Sequence, residues 1–336
     1  MKIAIHHNKG SFSERWIKYC EDNAVHYKIV NCYENDIINQ IKDCDVLLWH
    51  YHHGNYKDAL FAKQLLYSVE QSGKKVFPNF CTGWHFDDKL GQKYLLESIN
   101  APLVKSYVFY TKNEALSWAE TTSFPKVFKL RGGAGSTNVR LLKNISDAKK
   151  YINIAFGKGF SQFNRIGHLK DRFSKFLNCR DSFIGVLKAI RRVFISTEFA
   201  KMAGRERGYF YLQDFIPNND SDIRVIVIKD KAFAIKRLVR EGDFRASGSG
   251  NIEYINDRNI DVEVLKIAFR ISNQLKLQCV AFDFIYNQDK EPLIIEISYG
   301  FAMEAYNSCE GFWDSNLQWF SGTFYPQNWI VSNLMS

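Results

Sequence analysis

The sequence predicts an α/β protein that becomes α+β toward its C-terminal end, and three observations carry that prediction. Between residues 2 and 77, short apolar runs alternate with helical patterns. Residues 125–142, PKVFKLRGGAGSTNVRLL, read as a strand, a glycine-rich loop and a second strand. From residue 211 to residue 300, runs rich in β-branched and aromatic residues recur between turn signals. Alternating strands and helices imply a parallel sheet with right-handed crossovers, whereas strands that follow one another through short turns imply antiparallel pairing.

Composition bounds the rest. At 336 residues the chain has room for two or three domains, and 46% apolar with 15% aromatic residues excludes a disordered or low-complexity protein. The seven cysteines, Cys20, Cys32, Cys44, Cys81, Cys179, Cys279 and Cys309, are odd in number, scattered and without close pairs. Neither a disulfide framework nor a structural metal cluster is indicated, and a reduced, cytoplasmic setting is expected. Met1 opens a strand-like KIAIHH rather than a signal segment, and no apolar run approaches bilayer length, so a soluble protein is expected.

In the first part, strands are expected over 2–5, 27–30, 45–49 and 75–77, with helices over 13–23, 34–41 and 58–71. Ligands of parallel sheets gather at the carboxyl ends of the strands, and here those ends carry His6, His7, Asn8, His50, His52 and His53. A substrate pocket is expected there. Metal binding by these histidines is disfavoured, because their spacing offers no helical pair and no nearby carboxylate.

Residues 82–111 read as a helix opened by Asp87-Asp88-Lys89 and stopped near Asn100, then a strand ending near Tyr110. One aspartate suits the cap and the other the positive end of the helix dipole, which leaves Lys89 in a first turn where a cation is out of place. A ligand is one reason for such a residue. In the next segment Lys129 precedes a loop containing Gly132, Gly133, Gly135 and Ser136. Glycines let backbone amides turn inward to phosphate oxygens while the lysine supplies mobile charge. The lysine comes before the glycines and the loop enters a strand, so this is neither a Walker nor a dinucleotide fingerprint, and a ligand-free hairpin turn is the competing explanation.

Residues 211–250 read as three consecutive strands, broken first at Pro217 and an Asn-Asn-Asp-Ser turn. Their leftover polar residues, Gln213, Asp214, Asp222, Arg237, Arg240 and Arg245, are candidates to line one open face. Carboxylates suit ribose hydroxyls and guanidinium forks suit phosphates, so the set fits a nucleoside triphosphate; solvated surface charge is the alternative. Residues 279–300 form a hairpin that places Asp283 and Glu296 at facing positions among apolar neighbours. Such carboxylates require arginines or a divalent cation to neutralise them, and two of them beside phosphates suit magnesium.

In that order, the pieces resemble the ATP-grasp superfamily, closest to the ribosomal-protein glutamate ligases and the glutathione synthetase-like carboxylate-amine ligases. The similarity covers about residues 80 to 305 and is strongest in GDFRASG, SDIRVIV and LIIEIS. The resemblance implies an ATP-grasp fold preceded by a parallel-sheet domain, with ATP and magnesium as cofactors. It implies Lys89 and Lys129 on phosphates, the loop of Gly132, Gly133, Gly135 and Ser136 over them, and Gln213, Asp214, Phe215 and Ile216 as an adenine hinge. Asp222 would hold the ribose, Arg237 and Arg245 would lie over the transferred phosphoryl group, and Asp283, Glu296 and Ser298 would face the metal. The family usually has asparagine where this chain has Ser298. The implied reaction makes an acyl phosphate from a carboxylate and ATP, which an amine converts to an amide.

Four domains are expected: 1–85, an N-terminal α/β domain; 86–157, a central part with the glycine loop; 158–207, a basic helical insertion; and 208–336, a C-terminal domain with the metal site and an aromatic tail. The insertion holds twelve basic and four acidic residues, a local excess of eight positive charges in a chain of formal charge +9. A basic amphipathic helix is expected over 183–194, suited either to packing on the core or to an anionic acceptor or membrane surface. No nucleic-acid module accompanies it. The aromatic tail (Trp313, Trp319, Phe320, Phe324, Tyr325, Trp329) is read as core packing or as stacking on a sugar, which raises a glycan-linked acceptor and a role in polysaccharide biosynthesis. Two functions follow: an ATP-dependent ligase joining a small-molecule or glycan-linked carboxylate to an amine, or a catalytically weak ATP-binding module that docks on a membrane or acidic partner.

Overall fold

The structure is a computed structural model that describes residues 1–132, 138–161, 202, 204–240 and 242–336. The chain folds as two compact units: one comprises residues 1–86, 98–102 and 217–336, and the other residues 87–97 and 103–216. The helix expected over 183–194 and the loop residues Gly133, Gly135 and Ser136 lie outside the described residues.

The first unit begins with the expected β/α alternation. Strands β1 (Ile3–His6), β2 (Tyr27–Val30), β3 (Val46–Leu48) and β4 (Lys75–Phe77) form a parallel sheet in the order β2-β1-β3-β4. Helices α1 (Phe12–Asp22), α2 (Ile37–Gln40) and α3 (Tyr56–Gln71) supply the connections, and a short α4 (Phe80–Gly83) follows β4. Each longer helix starts where a side-chain oxygen satisfies an end N–H: Ser11 accepts from Ser13 N, and Asn55 accepts from Lys57 N.

The second unit holds α5 (Lys89–Ser98), β5 (Ser106–Phe109), α6 (Lys112–Thr121), β6 (Lys126–Phe128), β7 (Arg140–Leu142) and α7 (Ile145–Ala155). After these come β8 (Phe160–Ser161), β9 (Arg205–Glu206) and β10 (Phe210–Asp214). Its main sheet is antiparallel in the order β5-β10-β6-β7, and its own core joins Phe128, Leu142, Phe210 and Leu212 to Ala115, Ala119 and Ile152 from α6 and α7.

The remainder returns to the first unit as β11 (Ser221–Ile228), β12 (Lys231–Leu238), β13 (Ile252–Tyr254), α8 (Val262–Gln274), β14 (Val280–Tyr286) and β15 (Pro292–Ser298). The chain then closes with β16 (Gly311–Asp314), β17 (Trp319–Ser321) and α9 (Pro326–Met335). The antiparallel sheet runs β15-β14-β11-β12-β16-β17, with β13 also on β12. The three consecutive strands expected from residue 211 are present as β10, β11 and β12, but the one open face expected of them meets a correction here. β10 pairs in the sheet of the second unit, and the break at Pro217 separates it from β11 and β12.

On β11, Ile226 and Ile228 join Phe233 and Ile235 of β12 and Ala281 of β14 in the core shared with the N-terminal sheet. Strand periodicity puts Asp222 and Arg224, Arg237, and Asp283 on that same face, at the other end of the same rows. α8 packs on β11 and β14, burying Val264, Leu265, Ala268 and Ile271. Part of the aromatic tail packs inward, as one of its two readings expected: Trp329 stacks on Phe324 with centroids 5.1 Å apart and both contact Phe233, whereas Phe320 and Tyr325 are exposed. No helix among the described residues is long and apolar enough to cross a membrane, and the six cysteines among them are all free thiols.

Candidate active site

The register of three strands builds a charged lattice in the first unit. Asp222 on β11 lies opposite Arg237 on β12, and Arg224, two residues along β11, lies opposite Asp283 on β14. Arg237 forks onto Asp222, with Nε 2.6 Å from Oδ1 and Nη2 2.7 Å from Oδ2. The same Nη2 stands 2.9 Å from Asp283 Oδ2, while Arg224 Nε is 3.5 Å from Asp283 Oδ1. Burial alone would lower the basicity of Arg237, but Asp283 and Asp222 raise it, so it is held as a cation. Burial pushes the Asp222 carboxyl up to about 6 against the pull of Arg237.

Glu296 on β15 faces Asp283 directly, and the register then slips by one residue, leaving Ile295 as a bulge. Bulges bend a strand and re-aim its side chains, which suits a site. Ser298 lies on the same face two residues on, opposite Ala281, and its hydroxyl donates to the Gly300 carbonyl at 3.0 Å. Among the described residues, no group of three or more His, Cys, Asp or Glu side chains forms a metal cage. Magnesium does not need one: it takes one or two carboxylates and completes its shell with phosphate oxygens and water. Asp283 and Glu296 fit that donor set.

Arg245 sits in the turn that follows β12 and not at a strand end. Its Nε lies 2.9 Å from both Asp243 oxygens and its Nη2 2.6 Å from Oδ2. Burial pushes the Asp243 carboxyl up, and the hydrogen bonds and charge of Arg245 outweigh that to leave it lowered. The structure thus brings Asp222, Arg237, Asp283 and Glu296 together on adjoining strands, while Arg245 is engaged two residues away along the chain.

In the second unit, Asp88 caps α5, accepting from Leu90 N at 3.1 Å and Gly91 N at 2.9 Å. That leaves Lys89 as the first helical residue, and its N–H donates to Arg131 O at 3.0 Å. Lys129 follows β6, with its N–H on Tyr211 O at 3.3 Å. The bond from Lys89 to Arg131, two residues past Lys129, brings both lysines to one end of this unit, and both are buried. A Cβ added to Gly132 would lie 3.4 Å from Asp87 Oδ2 and 3.6 Å from Glu206 Oε1, so two carboxylates border the start of the loop. Gln213 is buried on β10 and donates to Ser106 Oγ at 3.1 Å; Asp214 pairs with Lys126 at 2.6 Å; Phe215 and Ile216 follow the strand.

At the carboxyl ends of β1 and β3 the histidines divide. His6 and His50 are buried, with His6 Nδ1 accepting from Cys32 N at 2.9 Å and His50 stacked on Phe12 with ring centroids 3.7 Å apart. Burial, with smaller repulsion from His7, lowers His6 to about 4, and burial with His52 and His53 lowers His50 to about 3. These two rings are core residues held neutral, and the pocket expected there loses both of them. His7 and His52 are exposed.

Residues 196–311 match the family profile described as the RimK-like ATP-grasp domain. That stretch is similar to an ATP-grasp domain. Over the whole chain the fold is also that of ATP-grasp proteins. An ATP-grasp RimK domain protein from Sphaerobacter thermophilus superposes with a TM-score of 0.57 at 12% identity, covering 99% of both chains. D-alanine–D-alanine ligase from Bacillus anthracis gives 0.52 at 17% identity, covering 90% of this chain and 88% of the other. In sequence, the α-aminoadipate–LysW ligase LysX of Saccharolobus solfataricus is 20% identical over 283 residues, 83% of this chain and 85% of that protein. The chain is therefore similar to the RimK-like ATP-grasp domain over residues 196–311 and has the fold of ATP-grasp proteins along its length.

Sequence reasoning missed Arg224, although it stands in the quoted Asp-Ile-Arg run. The signal was available: a residue two along a strand from Asp222 shares its face. Tyr306 was also missed. It is buried on the short 3₁₀ turn Met303–Tyr306, and Arg224 and Arg237 act to lower its phenol against the dominant effect of burial, which raises it to about 12.

Proposed function

We propose that the protein is an ATP- and magnesium-dependent ligase that activates a carboxylate as an acyl phosphate and joins it to an amine. The observation that carries this reading is the row Arg237, Asp283 and Glu296 on three strands within the span of the RimK-like match. Asp283 and Glu296 would hold magnesium, with Ser298 beside them, and the ion would offset charge on phosphate oxygens. Lys89 and Lys129 would add ammonium donors to those oxygens, the loop of Gly132, Gly133, Gly135 and Ser136 backbone amides, and the main chain of Gln213, Asp214, Phe215 and Ile216 edge contacts to adenine. Arg237, with Arg245, would stabilise charge that grows as the phosphoryl group transfers, which raises turnover more than it tightens binding.

The relatives named above and a further structural neighbour, the ATP-grasp ligase PsnB, solved with a precursor peptide and matched with a TM-score of 0.54 at 10% identity, favour amino acids and peptides as first substrates to try. A glycan-linked acceptor draws no support from Phe324 and Trp329 of the aromatic tail, which pack on Phe233. The positive charge between residues 158 and 207 keeps an anionic acceptor in view. Free thiols and use of ATP suit the cytoplasm.

Hydroxylamine tests the reading. An acyl phosphate formed from ATP and a carboxylate is captured as a hydroxamate whatever the natural amine is. Screening amino acids, peptides and uronic acids for hydroxamate and matching ADP release should find an active class. ATP bound with no carboxylate-dependent turnover across the panel would favour the weak binding module.

A further inference from the structure

Pairing of β11 with β12 sets residues two by two along one face: Ile226 opposite Phe233, Arg224 opposite Ile235, and Asp222 opposite Arg237. The first pair belongs to the apolar core and the last to the charged lattice, so the face changes character at Arg224. Tyr306 packs at this boundary. Its ring meets Phe233 edge-on with centroids 5.4 Å apart and Phe301 in the same way at 5.2 Å. The turn that carries it is tied down by Cys309 N, which donates to Tyr306 O at 3.1 Å. From Phe233, the row of Arg224 is one step along the strands, about 7 Å for two residues. Of the two guanidinium groups that act on the phenol, Arg224 accordingly acts more strongly than Arg237.

Two donors at this boundary lack an acceptor among the described residues. Arg224 Nε is buried without a hydrogen-bond partner, 3.5 Å from Asp283 Oδ1. Tyr306 is 6% exposed, and burial and neighbouring charges act on its phenol while no hydrogen bond does. Buried tyrosine hydroxyls ordinarily find a partner, and a bond left unmade at a buried donor is costly. Burial raises this phenol, so at neutral pH it stays protonated and donates. An anionic oxygen supplies what both groups lack.

We propose that Tyr306, beside Arg224, is a substrate-binding residue whose hydroxyl donates to the carboxylate that ATP activates. This rests on the ligase reading, in which phosphate lies on the metal side of the lattice, at Asp283 and Glu296. Phosphate and carboxylate then divide the row: Arg237 serves the first, and Arg224 with Tyr306 the second.

Tyr306→Phe removes the hydroxyl and keeps both ring contacts. The carboxylate used is whichever gives most hydroxamate with wild type in the panel of amino acids, peptides and uronic acids. Its KM should rise about tenfold or more in the variant, the scale of a hydrogen bond to a charged group, with a smaller change in kcat because the contact is already made in the ground state. ATP affinity without carboxylate should stay within about twofold of wild type. The denaturant midpoint of the ligand-free variant should match that of wild type, since no bond within the fold is lost. An unchanged KM overturns the proposal and leaves Tyr306 a core residue. A loss of ATP affinity as large as the rise in KM overturns it in favour of a phosphate contact, and a lowered midpoint overturns it in favour of a bond within the fold. Absence of hydroxamate from wild type with every carboxylate would instead remove the ligase reading itself.

Discussion

Arg237 Nη2 stands 2.9 Å from Oδ2 of Asp283, the carboxylate expected to hold magnesium. A guanidinium and a cation cannot both own that oxygen at close range, so metal binding and the pose of Arg237 are linked. Glu296 faces Asp283 across β14 and β15 and offers a second probe of the metal.

Glu296→Ala should leave ATP affinity without magnesium within about twofold of wild type, and should remove most of the gain that magnesium gives, about tenfold or more for a lost charged ligand. Titration calorimetry with and without the ion reads both quantities. Unchanged magnesium dependence would take Glu296 out of the site.

Arg237→Met leaves Asp222 buried with its fork removed, and breaking one side of a buried pair costs about 3–5 kcal/mol. Adding Asp222→Asn removes the stranded charge and should recover at least half of the loss, since hydrogen-bond loss by a neutral amide is cheaper than an uncompensated carboxylate. Denaturant midpoints of the two variants provide the comparison. Equal stability of single and double variants would show that the pair contributes through packing alone.

The sequence and the structure agree best where pattern alone determines the answer. Strands expected at 27–30 and 75–77 match β2 and β4, because short apolar runs between turns allow little else. The helix expected from 58 begins at Tyr56, since Asn55 caps it and the periodic residues start one turn later. Pairing partners are another matter: alternation marks β10 as a strand but does not say which sheet receives it. The β16–β17 hairpin went unread because its turn is held by Asp314, which accepts from Asn316 N and Gln318 N, and not by a glycine pair. At the candidate site, residue types and order singled out the carboxylates and lysines as candidates, while the fork of Arg237 onto Asp222 is a matter of register that emerges only when β11 and β12 are paired.

Lys129→Met should weaken ATP binding about tenfold or more, with the loss shared by ADP to a lesser degree, because an ammonium near phosphates acts on charge already present in the ground state. The side chain is buried at the end of β6, and methionine keeps its length and apolar stem. Fluorescence or calorimetric titration measures the change. An affinity equal to wild type would move the phosphate contact elsewhere.

The buried histidines predict how stability depends on pH. His6, at about 4, and His50, at about 3, lie below the ordinary value of 6.5 because burial disfavours their charged forms. Below pH 6.5 the unfolded chain takes up protons at these rings that the folded chain refuses. Their contribution is therefore full above pH 6.5 and is lost as pH falls toward 4 for His6 and 3 for His50, at about 1.4 kcal/mol per pH unit for each inside its window. His6→Gln should flatten the fall in unfolding free energy between pH 6 and pH 4.5 by about that slope, since its amide oxygen can accept the Cys32 N–H but binds no proton. Denaturant unfolding across this range, with wild type and variant compared point by point, isolates the histidine from the titrating carboxylates common to both. Parallel curves would mean that His6 is protonated as readily folded as unfolded, and that the ring is not held in the apolar setting between Tyr33 and Trp49.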